Sequence, residues 1–223
     1  MTATPSTAGM PGLAYPEESL RRDARVLTTR FDGIFAAETV ERYVLESYTA
    51  LLRTATVKAH LTQNAVRFAT SRLTALAEAK GALPATRPSV LFVCEQNAGR
   101  SQMAAVFAEM LSDGAVTVRS AGSAPSKELH PIVFEAMAET GLDLSGAFPK
   151  PLTDDVVQAA DVVVTMGCGD ACPVYPGKRY QDWSLADPAD LPLEGVRQVR
   201  DDIRNRVEAL LSDLGVTTKD INS

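Results

Sequence analysis

Residues 89–101 read SVLFVCEQNAGRS. The first six form a short, mostly apolar run rich in β-branched side chains, which is typical of a strand buried in a parallel sheet. No proline follows, and Asn97 and Gly99 tolerate the dihedral angles that a tight loop needs. Because ligands bind beyond the carboxyl ends of strands in open α/β sheets, the loop after this strand is the expected binding site.

The C-terminal part of the chain alternates between strand and helix patterns. Further strands are predicted over residues 115–120, 161–166 and 178–183, the last a weaker edge strand. Helices are predicted over residues 99–111, 131–140, 153–159 and 195–214, and Thr153 is a suitable N-cap for the third of them. The alternation predicts an α/β fold, a four-stranded, mostly parallel open sheet with helices on both faces, over residues 89–215. Residues 216–223 are expected to form a flexible tail.

A small all-α domain is predicted to precede the α/β part. Residues 17–82 carry three amphipathic helix patterns, the third over residues 57–80, and predict a three-helix bundle. Residues 83–88 contain two prolines and predict a linker. Residues 1–16 are small, Pro-rich and nearly uncharged, and predict a disordered tail.

Composition narrows the possible partners. The chain has 223 residues, of which 45% are hydrophobic, and a net charge of −6. The acidic balance argues against non-specific nucleic-acid binding, and no apolar run is long enough to predict a membrane-spanning helix. The N-terminus lacks the pattern of a secretory signal, which favours the cytoplasm. An anionic substrate would therefore need a local concentration of positive potential.

The loop at residues 94–101, called the oxyanion loop below, offers that potential. Its backbone N–H groups, the following helix N-terminus and the Arg100 guanidinium suit a tetrahedral oxyanion. The same field favours the thiolate form of Cys94, the nucleophilic form, and Ser101 is placed to donate a hydrogen bond to it. The alternative is a buried cysteine beside an ordinary turn. The residues expected to bind the oxyanion are Glu95, Gln96, Asn97, Ala98, Gly99 and Arg100.

The chain has three cysteines, Cys94, Cys168 and Cys172. An odd and sparse set does not predict a secreted disulfide framework. The two histidines, His60 and His130, are not at ligand spacing from the cysteines, so no metal site is expected. Cys168 and Cys172 follow the third predicted strand among glycines, at the sheet edge that carries Cys94, which favours redox pairing. The alternative is a pair of small buried side chains.

The run CEQNAGRSQMA resembles the signature loop of low-molecular-weight protein tyrosine phosphatases and of the arsenate reductases built on the same fold. The resemblance spans about residues 89–214. It implies that Asp187, in an Asp-Pro pair, is the general acid; Asp182 and Asp190 are the nearby alternatives, and Asp-Pro is often only a turn.

Two features favour the reductases. Gln102 stands where the phosphatases usually place proline, and Ala189-Asp190 stands where they commonly carry tyrosines. With the cysteine pair, the chain resembles the three-cysteine, thioredoxin-linked arsenate reductases. The resemblance implies attack of Cys94 on arsenate, then a thiol relay through Cys168 and Cys172. It implies no bound cofactor and an external dithiol, thioredoxin, with mycothiol and mycoredoxin as the alternative.

Other interpretations of the chain's function stay open at this point. A phosphatase using Cys94, Arg100 and Asp187 is the second, and a non-catalytic oxyanion-binding module the third. Residues 17–82 resemble the dimerisation segment of some arsenate reductases, which implies a homodimer; a lid and a DNA-binding module are the alternatives. Several such reductases bind potassium through a glutamate on the first helix, and the matching position holds Ala105, which argues against that site.

Overall fold

The computed structural model describes residues 16–55, 60–167 and 174–220. Three helices come first, α1 (Glu17–Arg30), α2 (Ala37–Leu52) and α3 (Leu61–Ala79). The elements that follow are β1 (Ser89–Cys94), α4 (Arg100–Ser112), β2 (Thr117–Gly122), α5 (Pro131–Ala138), α6 (Asp154–Ala159), β3 (Val162–Met166), β4 (Arg179–Asp182) and α7 (Leu193–Asp213). A short 3-10 helix, Pro188–Asp190, lies just before α7. No helix in the described ranges is long and apolar enough to cross a membrane.

The four strands form one parallel sheet in the order β2-β1-β3-β4. The predicted α/β fold is therefore confirmed, and β4 lies at the edge as expected. The chain leaves β1 to form β2 on one side and later returns to form β3 on the other. Such a reversal of strand order opens a crevice beyond the carboxyl end of the central strand, which is where the oxyanion loop begins.

Strand β1 is buried on both faces. Val90 and Phe92 belong to the larger core, formed with α4, α5 and α7, and the Phe92 ring lies 5.8 Å from that of Trp183. Leu91 and Val93 belong to a second core on the opposite face. This double burial explains why β1 reads as a continuous apolar run rather than as an alternating one.

The three N-terminal helices share a core of their own, and α3 also packs on the sheet. Phe68 of α3 lies in the three-helix core, whereas Ala75 lies in the second core with Leu91 and Val93. The pair of Arg119 and Glu78, whose nearest atoms are 2.6 Å apart, adds a salt bridge between β2 and α3. Helix α3 therefore covers part of one sheet face, together with α6. The domain boundaries stay predictions.

Arg72 joins the helical segment to the sheet domain through one buried cluster. Its Nε donates to Asp155 of α6 over 3.0 Å, and its guanidinium lies 4.5 Å from the ring centroid of Tyr43 in α2. Its Nη1 donates to Ser47 of α2 over 3.3 Å. Because the Asp155 side chain is only 6% exposed, this pair is protected from the screening that weakens surface ion pairs.

Two local expectations differ from the structure. The second strand begins at Thr117 instead of residue 115, because Asp113 and Gly114 both have positive φ angles and extend the turn after α4. Thr153 precedes α6 as expected, but its hydroxyl bonds to the carboxylate of Asp155 and accepts nothing from a helix N–H. The short side chain of Asp155 thus takes the hydroxyl that would otherwise cap the helix.

Candidate active site

The oxyanion loop is held from outside by residues 123–130. Four of its carbonyl oxygens accept hydrogen bonds from backbone N–H groups of that segment. The pairs, acceptor first, are Cys94 with Ser123, Glu95 with Ala124, Gln96 with Ser126, and Ala98 with His130. Within the described chain, the N–H groups of Gln96, Ala98 and Gly99 donate to no backbone carbonyl. No backbone carbonyl of the described residues therefore competes for these N–H groups, which suits the oxyanion-binding role predicted from the sequence.

Cys94 is buried, with 2% of its surface exposed, and its sulfur has two polar neighbours. The N–H of Asn97 donates to Sγ over 3.2 Å, and Oγ of Ser101 lies 3.0 Å from Sγ. Nδ2 of Asn97 donates to the same Oγ over 2.8 Å, so the Ser101 hydrogen is free to point at the sulfur. Two polar groups therefore converge on the sulfur that the sequence predicts to be the nucleophile.

Asn97 has φ +48°, in the left-handed region, and is fully buried. Asparagine tolerates this region better than most residues. Its Oδ1 accepts a hydrogen bond from the backbone N–H of Lys150 over 2.9 Å, and one from Nε2 of Gln102 over the same distance. Because Lys150 can only donate there, the Asn97 amide is oriented with Nδ2 towards Ser101.

The contacts of Gln102 and Lys150 around the loop were not predicted from the sequence. In the sequence Gln102 stands out only as a difference from the phosphatases, although its place in the first turn of α4 puts it beside the loop. Lys150 lies far along the chain and contacts Asn97 through its backbone. No side-chain pattern signals such a contact.

Arg100 and Asp187 are brought together at the mouth of the loop. Nη2 of Arg100 forms a salt bridge with the Asp187 carboxylate, and Nη1 donates to the carbonyl oxygen of Leu185 over 3.3 Å. The other Asp187 oxygen accepts from the N–H of Ala189 over 3.1 Å, which fixes the carboxylate at the start of the 3-10 helix. Asp182, one of the alternatives, instead bonds to the hydroxyl of Thr165 over 2.6 Å.

Two glycines let neighbouring strands approach the loop closely. A Cβ on Gly122 would lie 2.7 Å from the carbonyl oxygen of Glu95 and 3.0 Å from the backbone nitrogen of Asn97. Gly167, at the end of β3, has φ +75°, and a Cβ there would lie 2.9 Å from Nη1 of Arg100. The chain after β3 therefore starts beside the guanidinium. Cys168 and Cys172, which come next, lie outside the described residues.

A cleft of about 350 Å³ lies behind the loop, between α3 and the sheet domain. It holds the Lys150 ammonium, which donates to the carbonyl oxygen of Phe148 over 3.1 Å. Burial lowers the pKa of Lys150 to about 8, Arg67 lowers it as well, and Glu109 opposes both. The described residues contain no group of three His, Cys, Asp or Glu side chains that could hold a metal ion.

Two family models match the chain. Residues 89–220 match the low molecular weight phosphotyrosine protein phosphatase model, and residues 20–77 match the protein-tyrosine-phosphatase-like N-terminal domain model. The first match begins at β1 and contains the whole oxyanion loop. The second lies within the three N-terminal helices.

Individual relatives carry more specific names. The glutaredoxin arsenate reductase of Synechocystis is 38% identical over 128 residues, which cover 56% of this chain and 97% of that protein. An arsenate reductase of Staphylococcus aureus is 32% identical over 127 residues, 55% of this chain and 95% of that protein. The solved thioredoxin-dependent arsenate reductase of Corynebacterium glutamicum is 46% identical, with a TM-score of 0.80, and the match covers 89% of this chain and 97% of that chain. The last match includes the helical segment as well as the sheet domain.

Proposed function

Because the chain belongs to the low molecular weight phosphotyrosine protein phosphatase family, we propose that it uses the nucleophilic cysteine of that fold to reduce arsenate to arsenite. The observation that carries the proposal is the setting of the Cys94 sulfur, in contact with the Asn97 N–H and the Ser101 hydroxyl, at the start of a loop in which the N–H groups of Gln96, Ala98 and Gly99 donate to no backbone carbonyl of the described residues. The names of the three relatives favour arsenate over a phosphate ester as substrate.

The first step joins sulfur to arsenic. Arsenate binds to the loop N–H groups and to the Arg100 guanidinium, where it takes the place of the Asp187 carboxylate. The Cys94 thiolate attacks arsenic(V), an S–As bond forms, and one As–O bond breaks. The departing oxygen is an arsenate hydroxyl; Asp187, which takes up a proton from solvent after it has left Arg100, donates that proton to the hydroxyl, and it leaves as water. The salt bridge between Arg100 and Asp187 supports this proposal, because it places both side chains at the mouth of the loop.

The second step transfers the electrons. The Cys168 thiolate attacks the Cys94 sulfur, so that an S–S bond forms and the S–As bond breaks. Its electron pair stays on arsenic, which is reduced from As(V) to As(III) and leaves as arsenite. The Cys172 thiolate then attacks Cys168, frees the Cys94 thiolate and leaves a Cys168–Cys172 disulfide. The position of Gly167 beside Arg100 supports the relay, because the segment with both cysteines begins there.

An external dithiol must then reduce the Cys168–Cys172 disulfide. Thioredoxin is the proposed reductant, since the Corynebacterium glutamicum relative is thioredoxin-dependent. The Synechocystis relative is named a glutaredoxin arsenate reductase, which keeps a glutaredoxin-type or mycothiol route as the alternative. A cycle that returns to three free thiols requires a reducing compartment, and we propose the cytoplasm.

Replacing Cys172 with serine tests the relay. With thioredoxin as the sole reductant, Cys172→Ser should release about one arsenite per chain and then stop, because the Cys94–Cys168 disulfide has no third thiol to resolve it. The burst is measured by rapid quench, and the disulfide by mass spectrometry of the digested protein. Sustained turnover by this variant at the wild-type rate would contradict the relay.

Two controls separate the alternatives. Cys94→Ser should release no arsenite at all, which distinguishes enzymatic reduction from reaction with free thiols. Wild-type protein is also assayed on a generic aryl phosphate, because a phosphatase would turn over that substrate without any reductant. Hydrolysis of the ester without reduction of arsenate would replace the proposed function with the phosphatase one.

We further propose that the helical segment makes a homodimer. The face of α3 that packs on the sheet is already buried within the chain, so a second copy would have to pack on the outer side of the segment, where α1 lies. Val26 of α1 is 71% exposed, which leaves an apolar side chain on the outer side of the segment. The match of residues 20–77 to a separate N-terminal domain model also supports a distinct role for these helices.

Light scattering on the full chain tests dimerisation. The wild-type protein should scatter with twice the mass of one 23.8 kDa chain at micromolar concentration. Val26→Arg should shift the mass towards one chain, because it places a charge in the proposed interface. Met110→Arg, at an exposed position on α4, serves as the matched control and should leave the mass unchanged. A single-chain mass for the wild type would refute the dimer.

A further inference from the structure

Gln102 is an almost fully buried amide directly behind the oxyanion loop. It lies in the first turn of α4 and is 3% exposed. Three oxygens surround its Nε2: the Asn97 carbonyl at 3.1 Å, the Asn97 Oδ1 at 2.9 Å and the Phe148 carbonyl at 3.0 Å. Two of the three are backbone carbonyls and can only accept. The side-chain atom that faces them must therefore be the donor nitrogen.

Gln102 donates hydrogen bonds to two oxygens of Asn97, the backbone carbonyl oxygen and the side-chain Oδ1. Asn97 has φ +48°, in the left-handed region. A residue other than glycine keeps this unfavourable conformation only where surrounding contacts hold it there. The backbone N–H of Lys150 is the other donor to Oδ1. Of the two donors, only Gln102 reaches the Asn97 backbone as well. Its amide therefore fixes both the loop conformation and the side-chain orientation of Asn97.

Asn97 in turn makes one of the two hydrogen bonds to the reacting sulfur and orients the group that makes the other. Its N–H donates to Cys94 Sγ directly, and its Nδ2 directs the Ser101 hydroxyl towards the same sulfur. A rotation of Asn97 would weaken both donors together. We propose that Gln102 is a positioning residue for Cys94, which holds the thiol in its reactive form by fixing Asn97. Gln102 touches no reacting atom, and the proposal rests on the proposed nucleophilic role of Cys94.

A second reading is that Gln102 merely fills space. Gln102→Met separates the two readings, because methionine has a similar length and volume but no N–H donors. If only volume matters, the variant behaves as the wild type. If hydrogen-bond donation matters, the variant no longer holds Asn97 in place, although the packing is kept. Gln102→Glu is the second variant, since a carboxylate would face three oxygens and act more strongly in the same direction.

The measurement is the rate of Cys94 alkylation by iodoacetamide as a function of pH, without arsenate. Cys94 is followed by mass spectrometry of its peptide, so that Cys168 and Cys172 do not interfere. At pH 6 we expect Gln102→Met to react about tenfold more slowly than the wild type, with Gln102→Glu slower still. The pH midpoint of alkylation should move upwards in the same order. Gln198→Met, at an exposed position on α7, is the matched control and should react as the wild type.

The outcomes decide the proposal in either direction. Equal rates and midpoints for Gln102→Met and the wild type, with circular dichroism showing that both are folded, would overturn it. If neither variant folds, the Gln102 side-chain amide is followed by NMR in the wild-type protein. Slow exchange of its protons with solvent would support the hydrogen bonds, and exchange as fast as that of free glutamine would refute them.

The same data distinguish this proposal from the proposed function. A wild-type Cys94 that alkylates no faster than a free thiol at pH 6 would count against the nucleophilic role itself. A fast wild-type Cys94 with an equally fast Gln102→Met would leave the function in place and remove only the role of Gln102. Arsenate turnover of the variants, measured separately, should fall by the same factor as alkylation.

Discussion

Replacing Arg100 with lysine is expected to lower kcat/KM for arsenate reduction by about 10² to 10³. The guanidinium presents two parallel N–H groups that match two oxygens of a tetrahedral anion, whereas an ammonium is a point charge that cannot form this fork. The Arg100 side chain is 8% exposed, so water cannot replace the lost donor well. The quantity to measure is the steady-state kcat/KM for arsenate with thioredoxin and its reductase.

The Arg100→Lys substitution also separates charge from geometry. Lysine keeps the positive charge beside Asp187, so the midpoint of thermal unfolding should stay close to that of the wild type. Arg197→Lys is the matched control, because Arg197 forms a salt bridge with Glu139 far along the chain from the loop. It should leave kcat/KM unchanged. An Arg100→Lys enzyme within about threefold of the wild type would show that the fork is not needed.

The second large effect is expected for Gly122→Ala. The added methyl would lie 2.7 Å from the Glu95 carbonyl oxygen and 3.0 Å from the Asn97 nitrogen. Both are backbone atoms, so no side-chain rotation can relieve the contact and the oxyanion loop must move. A misplacement of about 1 Å can cost about 10² in rate, and overpacking costs about 1–3 kcal/mol of stability. We therefore expect Gly122→Ala to lower kcat by about 10² or more and to lower the free energy of unfolding in urea by about 1–3 kcal/mol.

Gly146→Ala is the control for this substitution. At Gly146 a Cβ would come no closer than 4.0 Å to a neighbouring atom, the Nη2 of Arg67. Activity and unfolding should stay at wild-type values. Should Gly122→Ala retain full activity and full stability, β2 would have to be free to shift away from the loop. The close approach between strand and loop would then not constrain the site.

Most of the fold could be predicted because buried strands and one-sided helices leave clear hydrophobic patterns in the sequence. The apolar run of β1 and the single apolar face of α7 each have one physical solution, a strand buried on both faces and a helix packed on one. The oxyanion loop could be located because its residues are contiguous. The roles assigned to its residues and to Asp187 stay predictions, although Arg100 and Asp187 are in contact.

The rest depends on contacts between distant parts of the chain. The Lys150 N–H that orients Asn97 and the carbonyl of Phe148 that receives Gln102 come from a segment about fifty residues further on. The hydrophobic pattern of α3 predicts one apolar face, but the small side chain of Ala75 lets its other side approach the sheet. Small residues carry little weight in a hydrophobic pattern, so this second contact was invisible in the sequence.

The shared position of α3 has a consequence for how the molecule can move. Because α3 packs in both the three-helix core and the second core of the sheet, we expect these two parts to move as one body, with residues 80–88 as a connection and not a hinge. In a dimer built through α1 and α2, the spacing and relative orientation of the two Cys94 sites would then be constant. A reductant protein would then meet each Cys94 site in one fixed orientation relative to the dimer.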